Sequence, residues 1–372
     1  MKIAIDASRA INEKAGVGKY VLNLVKHLIK HQEYEFLLIF NYAKSDAEKE
    51  KLIKTFAQKN VKIKVLRFPG KIKDWLLKSP FGFSRFLVEN ADVFISPTFL
   101  DFDLTLKIPQ VLVVHDLTNF LFPEHAGAKI SQIYQKMTRV SCQKAARIIT
   151  VSESTRSDVT KLLNIDPDKV VCIYPGTIGF PEIASILPND LKSKSYIFNV
   201  GTIEPRKNLV NLIKAYNLLS KNIQEKYPLA IAGAKGWNNQ TELNEFGKNK
   251  NIVWLGYVTD SELGKLYQEA KVFVYPSLYE GFGLPIAEAM QFSVPVITSN
   301  VSSMPEVVGE AGILIDPEKP EEIKSVMEEL LSNEVKLESM KQKSLSQAEK
   351  FSWDKTAVQT LDLLDSTLNK HT

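Results

Sequence analysis

The chain of 372 residues is 44% hydrophobic and 24% charged, and it carries a formal net charge of +4. This composition is typical of a soluble globular protein, and the length exceeds what one hydrophobic core supports, so we expect two domains. No apolar run approaches the roughly 18 residues that span a bilayer, and the first residues predict a strand rather than a signal peptide.

The cysteines and the distribution of charge bear on the cellular setting. Cys142 and Cys172 lie in apolar surroundings without a pairing pattern, which favours a reducing cytoplasm over a disulfide or a metal site. Residues 1–175 hold 27 Lys and Arg against 18 Asp and Glu, whereas the remainder holds 20 against 25. A basic first half indicates either a phosphate-rich or membrane partner, or an ordinary difference between two domains.

Short β-branched runs alternate with amphipathic helical stretches in the first half of the chain. The predicted strands are residues 2–6, 35–40, 61–66, 92–96, 110–116, 147–152 and 170–175, and the predicted helices include 20–31, 45–58 and 130–145. Such alternation is typical of βαβ units, which place parallel strands in one sheet with helices on both faces.

The same pattern starts again after a segment rich in proline, glycine and serine, which we interpret as a linker over 176–194. Strands are predicted at 195–201, 228–233, 252–257, 272–277, 295–300 and 312–317, with helices at 209–219 and 261–269. We therefore expect two similar α/β domains, 1–175 and 195–352, that face one cleft with the carboxyl ends of their strands. A terminal amphipathic helix, 353–372, follows, with Ser352 as its predicted cap.

The segment "NVGTIEPRKNL" places two cations directly after a predicted strand that ends at Gly201. Arg206 and Lys207 precede a helix that we expect to begin near Asn208, and two cations beside a helix amino terminus form an anion site. Arginine offers phosphate a planar fork, and lysine offers a point charge. A solvated basic turn is the alternative, but the position at the edge of the predicted cleft favours the anion site.

The segment "EGFGLPIAEAM" holds two carboxylates, Glu280 and Glu288, on either side of a glycine turn. Glycine lets the backbone approach a ligand closely, and Pro285 suits the start of a helix. The amides of Gly283 and Leu284 would then form a second anion cradle. Glu288 lies one turn into the helix, where it can accept hydrogen bonds from hydroxyls. Spacing alone does not identify an acid/base pair, because that depends on the separation of the carboxyl groups in space.

Two polar features follow strands of the first half. Gly16 and Gly18 form a glycine loop before a helix expected from about Lys19, without the third glycine of a dinucleotide fingerprint or the Gly-Lys-Ser/Thr of a P-loop. His115 and Asp116 directly follow an apolar strand, and that position at a carboxyl end favours ligand contact over a structural role.

Two further patterns are weaker. Asp101 and Asp103 match the Asp-x-Asp pattern of metal-dependent nucleotide-sugar enzymes. They lie far from Arg206 in the chain, and such sites use further oxygen ligands, so we expect no metal. Residues 67–87 interleave lysine and arginine with aromatic residues, which fits either contact with an anionic membrane or a helix with an apolar core face.

Taken together, these motifs resemble the retaining GT-B glycosyltransferases of glycosyltransferase family 4, whose Glu-x7-Glu motif looks like "EGFGLPIAEAM". The resemblance covers nearly the whole chain and includes the glycine loop, "HD", "VSESTRSDV", "GTIEPRKN", "LGYVTDSEL", "SNVSSMPEVVGEAG" and "FSWDKTA". It implies two Rossmann-like domains facing a central cleft, with the C-terminal helix crossing back to the N-terminal domain. One departure is Ala15-Gly16, where many members have two glycines.

The resemblance also implies a role for each matching residue. Arg206 and Lys207 would bind the donor diphosphate, Glu280 would contact the transferred sugar, and His115 would lie near the reacting carbon. The other implied donor-binding positions are Gly16 and Gly18 at the phosphates, Gly201 at the strand end, Tyr257 and Val258 at the base, the backbone of Phe282, Gly283 and Leu284 at the sugar and phosphates, and Glu288 at the ribose hydroxyls.

Within the family, the chain is most similar to bacterial mannosyl- and rhamnosyltransferases of polysaccharide synthesis. This implies retaining, metal-independent transfer of a hexose, with GDP-mannose as the expected donor, to a glycan or lipid-linked acceptor. A nucleotide-sugar epimerase of the same fold and a non-catalytic nucleotide-sugar-binding protein are the alternatives. We expect no cofactor, no metal and no nucleic-acid partner, and a cytoplasmic protein. Contact of residues 67–87 with the inner face of the membrane stays one of the two interpretations given above.

Overall fold

The computed structural model describes residues 1–369 apart from 14–15, 45, 70–87, 89, 104, 125–126, 178, 181, 189–190 and 237–238. The chain divides into two compact units. The first unit comprises Met1–Leu117, Lys129–Gly176 and Ser352–Thr372, and the second comprises Thr118–Ala128 and Thr177–Phe351.

The first unit is built on a parallel sheet of seven strands in the order β3-β2-β1-β4-β5-β6-β7. The strands are β1 Lys2–Asp6, β2 Glu35–Asn41, β3 Val61–Leu66, β4 Val93–Ser96, β5 Gln110–Val114, β6 Arg147–Thr150 and β7 Val170–Cys172. Apolar residues of the central strands, such as Ile3, Ile5 and Val93, are fully buried, as expected for a parallel sheet covered on both faces. The edge strand β3 carries Lys62 and Lys64, and charged side chains discourage pairing with another sheet edge.

Helices connect these strands, and a further helix lies at the C-terminal end of the chain. They are Ser8–Asn12, Val17–Leu28, Ala47–Lys54, Ala128–Lys144, Glu153–Leu163 and Trp353–Asn369. The terminal helix packs on Val17–Leu28, where Trp353 meets Tyr20 edge-on with ring centroids 5.4 Å apart. The predicted return of this helix to the N-terminal domain is therefore confirmed.

The second unit is built on a parallel sheet of six strands in the order β10-β9-β8-β11-β12-β13. The strands are β8 Ile197–Val200, β9 Leu229–Ala232, β10 Ile252–Gly256, β11 Val272–Tyr275, β12 Val296–Ser299 and β13 Gly312–Ile315. Numbered within the unit, the order is 3-2-1-4-5-6, which is the order of the dinucleotide-binding fold.

Helices in this unit fill the connections between strands. They are Thr118–Leu121, Leu209–Asn217, Lys221–Lys226, Gln240–Glu245, Asp260–Glu269, Leu284–Gln291, Met304–Val308, Pro320–Ser332 and Glu334–Ala348, with 3-10 turns at Pro205–Lys207 and Gly309–Ala311. Tyr216, Met327 and Leu330 are among the buried residues of an apolar cluster that joins helices to β8, β9 and β11.

The predicted fold class, two parallel-sheet Rossmann-like units, is confirmed, while three local expectations differ from the structure. The helix expected from Lys19 begins at Val17, which places Gly18 in its first turn. Residues Thr118–Ala128 belong to the second unit, so the first unit is not the continuous segment 1–175. The segment interpreted as a linker groups with the second unit from Thr177 onward, and the amide of Ala184 donates to the carbonyl of Ser261 at 3.1 Å.

Both sheets reverse their strand order beside their first strand. The reversal lies between β1 and β4 in the first sheet and between β8 and β11 in the second. Ligands of open parallel sheets bind outside the carboxyl ends at such a switch point. The loops after β8 and β11 carry Arg206, Lys207 and Glu280, so the sheet topology brings these distant parts of the sequence together.

Candidate active site

The loop after β8 is shaped so that its two cations are held in one place. Pro205–Lys207 forms a 3-10 turn, and Asn208 adopts a left-handed conformation with φ +57°. The side-chain amide of Asn208 donates to the carbonyls of Pro276 at 3.0 Å and Pro317 at 2.7 Å. A Cβ at Gly201 would lie 3.3 Å from Cε of Lys207. A side chain at this position would therefore crowd the side chain of Lys207.

Arg206 and Lys207 are bound to carboxylates within the second unit. Arg206 Nη1 lies 2.6 Å from Glu280 Oε2, and Arg206 Nη2 lies 2.6 Å from Glu204 Oε1. Lys207 Nζ lies 2.6 Å from Glu280 Oε1 and donates to the Tyr275 hydroxyl at 2.7 Å. The Tyr275 hydroxyl in turn donates to Glu280 Oε1 at 2.9 Å. We call these five residues the ion cluster.

The ion cluster is shielded from water, and this sets the protonation of its members. Burial by itself would raise the pKa of Glu280, but Arg206 and Lys207 outweigh burial and lower this pKa to about 2. Burial, with the neighbouring Arg206, lowers the pKa of Lys207, while Glu280 opposes that shift. Burial and Glu280 raise the pKa of Tyr275 far above its usual range. At neutral pH Glu280 is therefore ionised and has no proton to give, and Tyr275 is a hydroxyl donor.

The glycine turn after Glu280 is fixed by serines that follow β12. Ser302 Oγ donates to the carbonyl of Glu280 at 2.6 Å, and Ser303 Oγ donates to the carbonyls of Glu280 and Phe282, both at 2.9 Å. Gly283 precedes the helix Leu284–Gln291 with φ +90°, a left-handed conformation that favours glycine. The predicted turn and helix start are therefore confirmed, and the helix begins at Leu284, shortly after Glu280 of the ion cluster.

Glu288 has partners of its own. It lies inside the helix, is 5% exposed, and its Oε2 accepts a hydrogen bond of 2.8 Å from the Tyr267 hydroxyl. Burial and Glu288 together raise the pKa of Tyr267 well above its usual range, so the tyrosine remains a donor. The structure thus gives Glu280 and Glu288 different partners.

Tyr257 and Val258 lie in the loop after β10. β10 is the outer strand of its sheet and is separated from β8 by β9, which is two strand spacings, or about 10 Å. Tyr257 is 64% exposed. These two residues therefore follow a different strand from the residues of the ion cluster, and their implied contact with the base stays a prediction.

The first unit holds the remaining predicted residues. Gly16 has φ +52° and precedes the helix Val17–Leu28. A Cβ at Gly18 would lie 2.0 Å from the carbonyl oxygen of Glu13, so only glycine fits there. Tyr20, on the same helix, meets the ring of His115 edge-on at 4.8 Å. The structure brings the glycine loop and His115 together within this unit, and their implied donor contacts stay a prediction.

His115 is held as a neutral imidazole. Its Nε2 lies 2.9 Å from the carbonyl oxygen of Pro97, and since a carbonyl only accepts, this nitrogen carries the proton. Burial lowers the pKa of His115 to about 4, although the Pro97 hydrogen bond and Asp116 act in the opposite direction. At neutral pH the other nitrogen, Nδ1, can accept a hydrogen bond from a hydroxyl, and the lowered pKa makes His115 a weak base.

The weaker patterns have ordinary local partners or lie outside the described residues. Asp101 Oδ2 accepts from Arg9 Nε at 2.6 Å and from Thr98 Oγ1 at 2.8 Å, which accounts for one of the two aspartates. Residues 70–87 of the basic aromatic segment lie outside the described residues. Among the described helices, none combines the length and apolar character needed to cross a membrane.

Sequence reasoning missed three residues that the structure places in or beside the site. Glu204 and Tyr275 belong to the ion cluster, and Tyr267 holds Glu288. Glu204 carried a signal, because an acid two residues before Arg206 can reach its guanidinium. The two tyrosines gave none, since their partners depend on how strands and helices meet.

Two family models match the chain. The model "Glycosyltransferase Family 4" matches residues 15–177, and the model "Glycosyl transferases group 1" matches residues 186–347. The O-antigen chain mannosyltransferase B of Escherichia coli is 34% identical over 364 residues, which cover 93% of this chain and 95% of that relative.

Solved structures resemble the whole chain at low sequence identity. Sucrose-phosphate synthase from Thermosynechococcus elongatus has a TM-score of 0.77 at 15% identity, with 100% of both chains covered. The Anabaena protein HepE, in complex with UDP-glucose, has a TM-score of 0.73 at 17% identity, with 98% of this chain and 100% of that chain covered. At such identities the likeness concerns the fold, and the expected GT-B fold is confirmed.

Proposed function

The chain belongs to glycosyltransferase family 4, and from this premise we propose that it transfers mannose from GDP-mannose to a glycan or lipid-linked acceptor in cell-surface polysaccharide synthesis. The similarity to the Escherichia coli O-antigen chain mannosyltransferase B, which extends over nearly the whole chain, supports mannose and a polysaccharide acceptor. The proposal includes retention of the anomeric configuration and transfer without a metal ion or cofactor.

The ion cluster is the observation that carries this proposal. Transfer breaks the bond between the sugar and the diphosphate, so negative charge grows on the leaving group, and cations fixed in advance stabilise it. An ammonium group has three N–H donors, and within the described residues Lys207 directs two of them to Tyr275 and Glu280. The third donor of Lys207 and the guanidinium of Arg206 are the groups we assign to the diphosphate.

Charge balance in the ion cluster suggests what Glu280 does. Two cations face two carboxylates, Glu204 and Glu280, so the cluster is neutral before a diphosphate binds. An incoming diphosphate competes with a carboxylate for the same cations, and Glu280 then turns one oxygen toward a hydroxyl of the sugar. Because its carboxyl is ionised at neutral pH, Glu280 serves as an orienting acceptor rather than as a proton donor.

Glu288 is assigned to the ribose. Its carboxylate accepts a hydrogen bond from Tyr267 at 2.8 Å, which fixes its orientation, and a carboxylate has about four lone-pair sites with which to accept from hydroxyls. The proposal places the protein in the cytoplasm, with residues 67–87 against the inner face of the membrane, and this part rests on sequence alone.

A donor panel tests the proposal. The purified chain is incubated with GDP-mannose, UDP-glucose or UDP-galactose and a mannose-terminated oligosaccharide, with and without EDTA, and products are read by mass spectrometry and by NMR of the anomeric proton. We expect product from GDP-mannose only, in the donor's anomeric configuration and in EDTA. An epimerised free donor without transfer would indicate the epimerase, and thermal stabilisation by donor without turnover would indicate the binding protein.

A further inference from the structure

A polar pocket lies at the amino edge of the sheet in the first unit. Its volume is about 490 Å³, and it is lined by the starts of β5 and β6 and the loop before β5. Ligands of open parallel sheets bind at the carboxyl ends of the strands, which is the edge opposite this pocket. His115, which follows β5, lies at that carboxyl edge. The pocket is therefore distinct from the candidate active site, and its volume is in the range of sites for small molecules.

Three lysines line this pocket. Lys107 and Lys144 are exposed, and Lys169 is half-buried. Lys169 Nζ donates to the carbonyl of Gln143 at 2.7 Å, which leaves two of its three donors for other partners within the described structure. Burial lowers the pKa of Lys169, so an anion beside it would offset the cost of keeping this ammonium charged. Three cations around one pocket favour phosphate.

The same pocket contains one buried carboxylate with an unused oxygen. Asp103 is 2% exposed, and its Oδ1 accepts from the amide and the hydroxyl of Thr105, both at 2.7 Å. The side chain of Gln110 binds the backbone of Asp103 twice. The Asp103 amide donates to Gln110 Oε1 at 3.2 Å, and Gln110 Nε2 donates to the Asp103 carbonyl at 2.5 Å. Asp103 Oδ2 is buried and has no hydrogen-bond partner among the described residues. Leaving such an oxygen unpaired costs free energy, which a ligand hydroxyl would recover.

We propose that this pocket binds a phosphorylated sugar. Its phosphate lies against Lys144 and Lys169, with Lys107 nearby, and a sugar hydroxyl donates to Asp103 Oδ2. An inorganic anion would satisfy the lysines but not the aspartate, and a neutral sugar would satisfy only the aspartate. A molecule with both groups satisfies both. The inference does not rest on the proposed transfer reaction.

Calorimetric titration of the full chain with glucose 6-phosphate tests the lysines. The double substitution Lys144→Gln and Lys169→Gln should weaken binding by about 10-fold or more, the scale for losing hydrogen bonds to charged groups. Lys51→Gln with Lys54→Gln, which makes the same charge change on the helix Ala47–Lys54 of the same unit, should leave the affinity unchanged. No binding to the unaltered chain, or binding that survives in the pocket variant, overturns the proposal.

Asp103→Asn separates a ligand role from a structural one. The asparagine oxygen can still accept from Thr105, and only the unused oxygen becomes an amide donor. Glucose 6-phosphate should then bind about 10-fold more weakly. Inorganic phosphate should bind as tightly as before or more tightly, because a negative charge has been removed. Equal weakening of both probes, or unchanged binding of glucose 6-phosphate, would overturn the role of Asp103.

Discussion

Replacing Arg206 by methionine tests whether the ion cluster is one structural and catalytic unit. The substitution removes the cation that bridges Glu204 and Glu280, each 2.6 Å away. It leaves Glu204, whose side chain is 3% exposed, without its ion-pair partner among the described residues. Breaking a buried ion pair in this way costs about 3–5 kcal/mol, which lowers the unfolding temperature by roughly 6–20 °C. The kcat/KM for transfer should fall about 10²–10³-fold, the scale for one charge-stabilising donor.

A second substitution, Glu204→Gln, separates the two effects. It neutralises the carboxylate that Arg206→Met leaves unpaired, so the double variant should regain more than half of the lost unfolding temperature in circular dichroism. Its kcat/KM should stay low, because the cation for the diphosphate is still absent. Lys336→Met is the control, since its exposed pair with Glu329 is worth less than about 1 kcal/mol. If the double variant regained activity, or unfolded no higher than Arg206→Met, the reasoning would be wrong.

The remaining predictions concern a hydroxyl, a glycine and a histidine. Tyr267→Phe removes the donor 2.8 Å from Glu288, so urea denaturation should show a loss of about 1–3 kcal/mol, and no loss would contradict that contact. Gly18→Ala places a Cβ 2.0 Å from the Glu13 carbonyl, so thermal unfolding should show destabilisation of about 1–3 kcal/mol, despite alanine's helix propensity. Since the folded pKa of His115 is lowered from 6.5 to about 4, its contribution to stability is present above pH 6.5 and is lost as pH falls through 4. His115→Asn should make the unfolding temperature depend less on pH between 6.5 and 4. An unchanged plot of unfolding temperature against pH would contradict this.

Strand positions were predictable because buried parallel strands have a strong local signature. The runs that form β1, β5 and β11 are short and rich in Val, Ile and Phe, and each lies within a predicted strand. Helix ends were less predictable. The helix Val17–Leu28 begins two residues before its predicted start. Gly18 in its first turn lies so close to Glu13 that an added Cβ would meet the Glu13 carbonyl, and helix propensity does not contain such a contact.

The ion cluster could be predicted only in part. Sequence position indicated that Arg206 and Lys207 follow β8 and that Glu280 follows β11, but not that β8 and β11 are neighbours. That adjacency results from the reversal of strand order, and it brings together residues 74 positions apart. Because the sequence pattern does not contain the pairing of strands, the cations were expected to be open to a phosphate rather than bound to carboxylates.

The hydrogen-bond and ion-pair partners of Glu280 and Glu288 explain why these two carboxylates are eight residues apart. Glu280 is held by Arg206, Lys207 and Tyr275 at the end of β11, whereas Glu288 is held by Tyr267 from the helix Asp260–Glu269. Neither carboxylate has the other as a partner, and the glycine turn fixed by serines separates them. The acid of an acid/base pair needs a carboxyl with a raised pKa, and the lowered pKa of Glu280 excludes Glu280 from that role. The spacing therefore fits the proposed assignment of Glu280 and Glu288 to different parts of one nucleotide sugar.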